Sequence, residues 1–395
     1  MKTGVPPEYI AEILNRLTSE GHESYLVGGS VRDAVMNRPI HDWDIATSAK
    51  PVEVASLFPK TVLTGEKFGT VTVVLPECMA EVTTFRTESD YTDGRHPGKV
   101  EFAANLNEDL SRRDFTINAM ASSVDGKLFD PFGGMADIEK GIIRCVGGPN
   151  TRFSEDALRM FRALRFSAEL GFTIEAETLK AIYANTGNAA QISSERIRIE
   201  LEKTLMSQRP EVSGEMIKIG LLGKFVAVTG KSPKGLEKIA SLPLDTMLRW
   251  CAFCGVLVKN EFINSATELL HNLHLDGKTI KICLRALSIS EFTADKTEIK
   301  RLLAKNDAAV VRCAAAAYDV CSSSVLLEQT DSILKSGECV TVGKLAVTGK
   351  DLLERGHSSG KELGETLSKL LEHVINNPED NNREVLLELA ESIKQ

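Results

Sequence analysis

The sequence predicts an α+β chain, a small α/β domain followed by a long all-helical region. Three observations predict it. Up to about Val146, short apolar runs of strand type alternate with helical patterns. Beyond Thr151 the strand signals stop, and amphipathic helical periodicity continues almost to Gln395. That periodicity breaks at 186–190, 207–211, 229–234 and 376–381, where Gly, Pro, Asn or Ser collect.

In chain order, Ile10, Ile13, Leu14 and Leu17 stand at helical spacing within residues 6–20 and stop at Gly21. Strand-type runs follow at 24–28, 42–46, 70–75 and 78–85, with helical patterns near 30–37 and 51–58. The polar segment 86–98, RTESDYTDGRHPG, lacks periodicity and reads as an exposed mobile loop. Asp125-Gly126 between apolar residues reads as a hairpin turn. The expected domains are residues 1–150 (head), 151–207 (helical neck), 208–330 (helical body) and 331–395 (helical tail).

Composition narrows the class. With 43% hydrophobic and 26% charged residues, the 395-residue chain has ample core for a globular protein. The opening Met-Lys-Thr-Gly-Val-Pro-Pro has no apolar leader region, and no run approaches a membrane span, which predicts a cytoplasmic protein. Among eight cysteines, Cys251 and Cys254 form a lone CxxC inside WCAFCGVLV, without the second pair a zinc ribbon needs, and read as buried structural thiols. Net charge is −8, and residues 1–150 hold 15 basic against 22 acidic side chains, so any RNA contact must come from a local basic face.

The most informative stretch is 25–48, YLVGGSVRDAVMNRPIHDWDIATS. An apolar run ends in Gly28-Gly29-Ser30, a helix follows, and the chain returns with Asp42 and Asp44. In a strand these two carboxylates share a face. Paired hard oxygen ligands suit Mg²⁺, completed by water and substrate phosphates. A Gly-Gly turn entering a helix offers backbone N–H groups to a triphosphate. Together they predict metal-assisted nucleotidyl transfer. Glu81, a charge in the apolar strand AEVTTF, is the candidate third carboxylate. Arg32, three residues after Gly29, is a candidate triphosphate ligand, because its guanidinium fork matches phosphate oxygens. Residues 155–166, EDALRMFRALRF, read as helix with Asp156 and Arg159 neighbours at i,i+3 and Arg159, Arg162 and Arg165 in one slanting row. An acceptor Asp beside a donor Arg can pair with the amine-plus-ring-nitrogen edge shared by cytosine and adenine; uracil and guanine present the opposite polarity.

The order strand–GG–helix–strand–DxD resembles the nucleotidyltransferases related to DNA polymerase β. Val-Arg-Asp and Asp-Ile-Ala-Thr resemble the bacterial class II tRNA nucleotidyltransferase/poly(A) polymerase family, CCA-adding enzymes among them. RRDFTINAM at 112–120 resembles that family's RRDFTxNA motif, EDALR its EDxxR motif and ISSERI at 192–197 its ISxERI segment, so five ordered motifs span residues 25–205. The resemblance implies a polymerase-β-like head with Asp42, Asp44 and Glu81 catalytic. It implies a phosphate and ribose clamp of Arg113, Asp114 and Asn118, with Asn118 a candidate sensor of the 2′-hydroxyl. Base selection would fall to Asp156 and Arg159, with ISSERI as structural support. The implied reaction is template-independent addition of C, C and A to the tRNA 3′ end from CTP and ATP with Mg²⁺. The tail motifs at 347–352 and Gly356–Gly360 are the expected tRNA contacts.

Other members of the group remain in view. A CC-adding enzyme typically lacks part of the segment after the Glu-bearing strand, whereas Asp93-Gly94-Arg95-His96-Pro97 is present here. An A-adding enzyme shares most motifs. A poly(A) polymerase usually carries a strongly basic extension, against the Glu-rich end of this chain. A non-catalytic RNA-binding relative would have eroded a carboxylate, and a small-molecule nucleotidyltransferase has no use for EDxxR. The only His-Asp doublet is His41-Asp42, so no HD phosphohydrolase domain is expected. The sequence leaves a homodimer open.

Overall fold

A computed structural model describes residues 5–65, 69–91, 97–103, 105–229, 233–322 and 324–394. The chain divides into two units, one of residues 1–204 and 215–224, the other of residues 205–214 and 225–395. Among the described residues, no helix is long and apolar enough to cross a membrane.

The first unit opens with α1 (Glu8–Ser19), β1 (Ser24–Val27), α2 (Gly29–Val35), β2 (Trp43–Thr47), α3 (Pro51–Leu57), β3 (Thr61–Gly65), β4 (Thr70–Val74) and β5 (Met79–Thr84). Then come β6 (Arg86–Tyr91), β7 (Pro97–Phe102), α4 (Leu106–Ser111), a 3₁₀ turn at Thr116–Asn118, β8 (Ala121–Ser122), β9 (Leu128–Phe129), α5 (Gly134–Lys140) and β10 (Ile142–Ile143). Helices α6 (Pro149–Glu155) and α7 (Leu158–Leu170), strand β11 (Thr173–Ile174), and helices α8 (Ala176–Asn185) and α9 (Ser194–Leu205) follow. Seven strands form one sheet in the order β3-β4-β5-β2-β1-β8-β9. Among the described residues, β2 and β5 are its one parallel pair.

Strand alternation decides what each face carries. Leu26, Ile45, Val71, Val73, Ala80 and Val82 pack with Ile10, Ile13, Leu14 and Leu17 of α1 and Val54 of α3 in one core. Each of these valine, leucine and isoleucine side chains is worth about 1.5–3 kcal/mol when fully buried, which outweighs the weak local preferences of these short strands. Asp44 and Glu81 occupy the alternate positions. They stand directly opposite one another in the β2–β5 register, as do Ile45 and Val82.

Two expectations need correction. Segment 86–98 is not simply a loop: β6 and β7 pair antiparallel, from Arg86 opposite Phe102 to Tyr91 opposite Pro97. An antiparallel ladder satisfies backbone groups without any apolar alternation, so this hairpin carries no periodic signal. Residues 92–96, with the Asp93-Gly94-Arg95-His96 string, lie outside the described residues. Strand structure also does not end before Thr151, because Thr173 and Ile174 pair with Ile142 and Ile143.

The second unit is helical. It takes in part of α10 (Val212–Lys218) and all of α11 (Thr246–Lys259), α12 (Ala266–Asn272), α13 (Gly277–Leu287), α14 (Lys296–Lys305), α15 (Ala308–Ser322) and α16 (Leu326–Ser336). Its end holds α17 (Gly349–Glu354), α18 (Lys361–Asn376) and α19 (Arg383–Lys394) around Leu352, Leu370, Leu371, Val374 and Leu386. In α11, Arg249 is 1% exposed and donates to the carbonyls of Leu205, Ser207, Ala240, Leu242 and Pro243. Cys251 and Cys254 are fully buried and not disulfide-bonded.

Candidate active site

Strand β1 is short and apolar, so it ends where the backbone must turn. Gly28 makes the turn at φ +71°, a conformation L side chains rarely adopt. A Cβ there would stand 3.0 Å from Arg113 Nη1 and 3.3 Å from Asp44 Oδ2. The glycine thus lets an arginine and a carboxylate close over the turn. Both glycines of the Gly28-Gly29 pair line a cavity of about 780 Å³, contained wholly in the first unit.

Asp44 projects from β2, while Asp42 lies one residue before the strand begins. Both line the cavity. Burial pushes the Asp44 carboxyl up, Arg113 pulls it back, and the charges of Glu81 and Asp42 push it up further. Acids crowded in this way are a destabilised set that a bound cation would relieve. Glu81 is exposed and does not line the cavity, although its register keeps it beside Asp44. Among the described residues no three-donor cluster of His, Cys, Asp or Glu stands at metal-ligand spacing.

The RRDFTINAM segment builds a second wall. Asp109 is fully buried and accepts from Arg112 Nε and Nη2 (3.0 and 2.8 Å) and from Arg113 Nη2 (3.1 Å). Burial pushes Asp109 up, yet Arg113 and Arg112 outweigh it and hold the carboxyl below its usual range. Arg113 Nε is buried with no partner among the described residues. Asp114 Oδ1 accepts from Phe115 N at 2.8 Å and Asn118 Nδ2 at 3.2 Å; Oδ2 accepts both Nε (2.7 Å) and Nη2 (2.6 Å) of Arg162. Burial alone would raise Asp114, but Arg162 and the Asn118 amide bring it down to about 2. Asn118 Oδ1 in turn accepts from Arg32 Nη1 at 2.9 Å, while Arg32 Nε and Nη2 pair with Asp33. Arg32 is buried, not a surface arginine.

The third wall departs from expectation. EDALRMFRALRF is not one helix, because α6 ends at Glu155 and α7 starts at Leu158. Asp156 between them is extended (φ −142°, ψ 104°), and its Oδ1 accepts from Leu158 N at 3.0 Å. A short carboxylate that captures a nearby N–H competes with the helix and stops it. The Arg159 backbone N–H donates to the Asp156 carbonyl at 3.0 Å. Arg159 Nη1 donates to Glu155 at 2.6 Å, the ordinary i,i+4 pairing, and Nη2 donates to the Arg112 carbonyl at 3.1 Å. Two further arginines of α7 meet acids: Arg162 takes Asp114, Arg165 takes Glu200 and Glu169, and Glu200 also stands 4.0 Å from Arg162. Phe166 sits among three of these guanidinium groups, with Arg165 3.9 Å, Arg32 5.1 Å and Arg162 5.3 Å from its ring centre.

Asp42, Asp44, Gly29, Arg32, Arg113, Asp114, Asn118, Asp156, Arg159, Arg162 and Arg165 all reach this one cavity; Glu81 alone of the sequence candidates does not. Sequence reasoning missed Asp109, although its spacing of three and four from Arg112 and Arg113 was a usable signal. It also missed Phe166, and it treated Arg196 as neck support, whereas Arg196 lines the cavity.

Three family descriptions match the chain: Poly A polymerase head domain over residues 24–144, Probable RNA and SrmB- binding site of polymerase A over 171–226, and tRNA nucleotidyltransferase domain 2 putative over 246–390. A CCA-adding enzyme of Geobacillus sp. is 40% identical over 94% of this chain and 93% of its own length. One of Bacillus velezensis is 38% identical over 92% of each chain. The crystal structure of Bacillus stearothermophilus CCA-adding enzyme in complex with CTP superposes with a TM-score of 0.79 at 34% identity, covering 93% of this chain and 92% of that one. Similarity at this level over more than nine-tenths of both chains shows that the chain belongs to the CCA-adding enzyme family.

Proposed function

We propose that this chain adds C, C and A to the 3′ end of tRNA, taking CTP and ATP as substrates and releasing pyrophosphate. The observation that carries the reading is that the acid pair at β2 and the Asp156–Arg159 edge share one cavity. Phosphoryl chemistry and base choice are thereby brought together without a nucleic-acid template.

Asp42 and Asp44 fit Mg²⁺. They are hard oxygen donors, Asp44 is raised by burial and further by the charges of Glu81 and Asp42, and Mg²⁺ commonly takes one or two protein carboxylates, leaving other positions to water and substrate phosphates. When bound, it supplies positive charge to the attacking 3′-oxygen and the departing pyrophosphate. Glu81, opposite Asp44, adds negative charge at the outer edge of that pair. Arg113, fixed by Asp109 through Nη2 and with Nη1 at the Gly28 turn, is the guanidinium suited to a triphosphate oxygen. Arg32 shares its fork with Asp33 and Asn118, so its part is to hold Asn118 as well as to add charge. The Asn118 amide is oriented at both ends, by Arg32 and Asp114, which leaves its second N–H for the ribose 2′-hydroxyl. Asp156 accepts the exocyclic amine of C or A, and Arg159 donates to the adjacent ring nitrogen. A reaction on tRNA with CTP and ATP belongs in the cytoplasm.

The test is direct. The protein is incubated with Mg²⁺, a tRNA ending at the discriminator base and all four nucleotides, and the 3′ ends are sequenced. Products ending in CCA are expected. Addition that stops at CC, a single A only on tRNA already ending in CC, or a long A tract would each overturn the reading.

A further inference from the structure

The carboxylate that would read the base is held from another helix. Arg196, at the start of α9, donates through Nη1 to Asp156 Oδ1 at 3.3 Å and through Nη2 to Oδ2 at 2.8 Å. The two side chains are 22% and 16% exposed, so the pair is largely withdrawn from water while both residues line the cavity. We propose that Arg196 is the positioning residue for nucleotide choice: it fixes Asp156 so that a single acceptor direction is offered to the incoming base. This rests on the reading of Asp156 and Arg159 as the base-recognising edge.

An ionised carboxylate has about four acceptor directions. Among the described residues, Leu158 N and Arg196 Nη1 occupy two on Oδ1, and Arg196 Nη2 occupies one on Oδ2. One direction on Oδ2 is left, and an exocyclic amine fits it. The carbonyl of uracil or guanine placed there meets an oxygen that cannot retreat, because the planar guanidinium fork fixes both carboxylate oxygens at once. Rejection of a wrong base depends on that inability to move as much as on the attraction of the right one. Without Arg196, the Leu158 N–H is the one partner left to the carboxylate among the described residues. It can then swing away from an opposing carbonyl, and the penalty on U and G falls.

The experiment compares full-length wild type with Arg196→Ala, Arg196→Met, Arg196→Lys and Asp156→Ala. The readout is kcat/KM for CTP and for UTP on a tRNA ending at the discriminator base. Asp156→Ala should relax the C-over-U ratio about ten- to hundredfold, the range of one well-made base contact. Arg196→Ala should relax it about tenfold, and Arg196→Lys less, since lysine keeps the charge and loses the fork. Arg196→Met retains the apolar stem and decides the matter should the alanine variant fail to fold. A normal ratio in a folded Arg196→Ala or Arg196→Met protein, with Asp156→Ala relaxed, overturns the positioning role. An equal fall for CTP and UTP in those variants does the same, because that is the mark of a merely structural arginine. A normal ratio in Asp156→Ala overturns the base-reading role itself, independently of Arg196.

Discussion

Replacing Asp114 by Asn isolates one charge at the centre of the cavity wall. The amide keeps the size of the side chain and an oxygen for Phe115 N and Asn118, but it sets an N–H₂ group, or a weaker neutral oxygen, against the Arg162 fork. The wild-type carboxyl is buried and held at about 2 by Arg162 and Asn118, against an ordinary value of 3.8. Each pH unit between those values is worth about 1.4 kcal/mol, so the ionised group contributes about 2 kcal/mol to folding at neutral pH. Its folded-state value is depressed, so this stability is present above pH 4 and is lost as the pH falls towards 2. Arg162 keeps some compensation in the variant, being about one-third exposed with Glu200 at 4.0 Å, which argues against a much larger loss. Urea unfolding read by hydrogen exchange at Ile45–Thr47 of β2 should show Asp114→Asn destabilised by about 2 kcal/mol at pH 7, with the gap closing in acid. A gap below about 0.5 kcal/mol at pH 7, or one that does not shrink below pH 4, would refute the assignment of that energy to this pair.

Other outcomes follow from the same geometry. Asp42→Ala should abolish nucleotide addition while the thermal transition stays near wild type; appreciable turnover would remove Asp42 from the catalytic set. Gly28→Ala forces an L side chain into φ +71° within 3.0 Å of Arg113 Nη1. It should cost about 1–3 kcal/mol and lower kcat on the order of a hundredfold. Wild-type kinetics and stability in that variant would show that the turn has room to relax. Arg249→Met removes the donor to five carbonyls in the second unit. It should destabilise that unit by about 3–5 kcal/mol, seen as an earlier loss of Trp250 fluorescence, and an unchanged melt would count against the buried arginine as its clasp.

Much of the head was legible because its signals are local. β1 is a short apolar run, β4 alternates threonine with valine, β2 and β5 set Asp44 and Glu81 between apolar residues, and the glycine turn and DxD lie within 25 residues of one another. β3 was not legible. It is an edge strand with Val62 and Leu63 more than 40% exposed, so no buried face imposes a period. The helix break at Asp156 was missed for a different reason. EDALRMFRALRF is rich in helix formers, and the break depends on Leu158 N and on Arg196, 40 residues away. The Asp114–Arg162 pair spans 48 residues. Motif spacing shows which side chains belong to a site; it does not show which acid each arginine will take when several stand within reach.

The register of β2 against β5 bears on how such a chain can change length. Asp44 faces Glu81 because the two strands are hydrogen-bonded neighbours, not because of the number of residues between them. Residues can therefore be gained or lost in the turns between Thr47 and Met79 while the two acids keep their places. One residue inserted between Met79 and Ala80 would carry Glu81 into the place of Val82, on the face packed against α1 and α3, and set Ala80 opposite Asp44. Length variation in this part of the head is expected to accumulate in those connections, and the six positions of β5 are where insertion should not be tolerated.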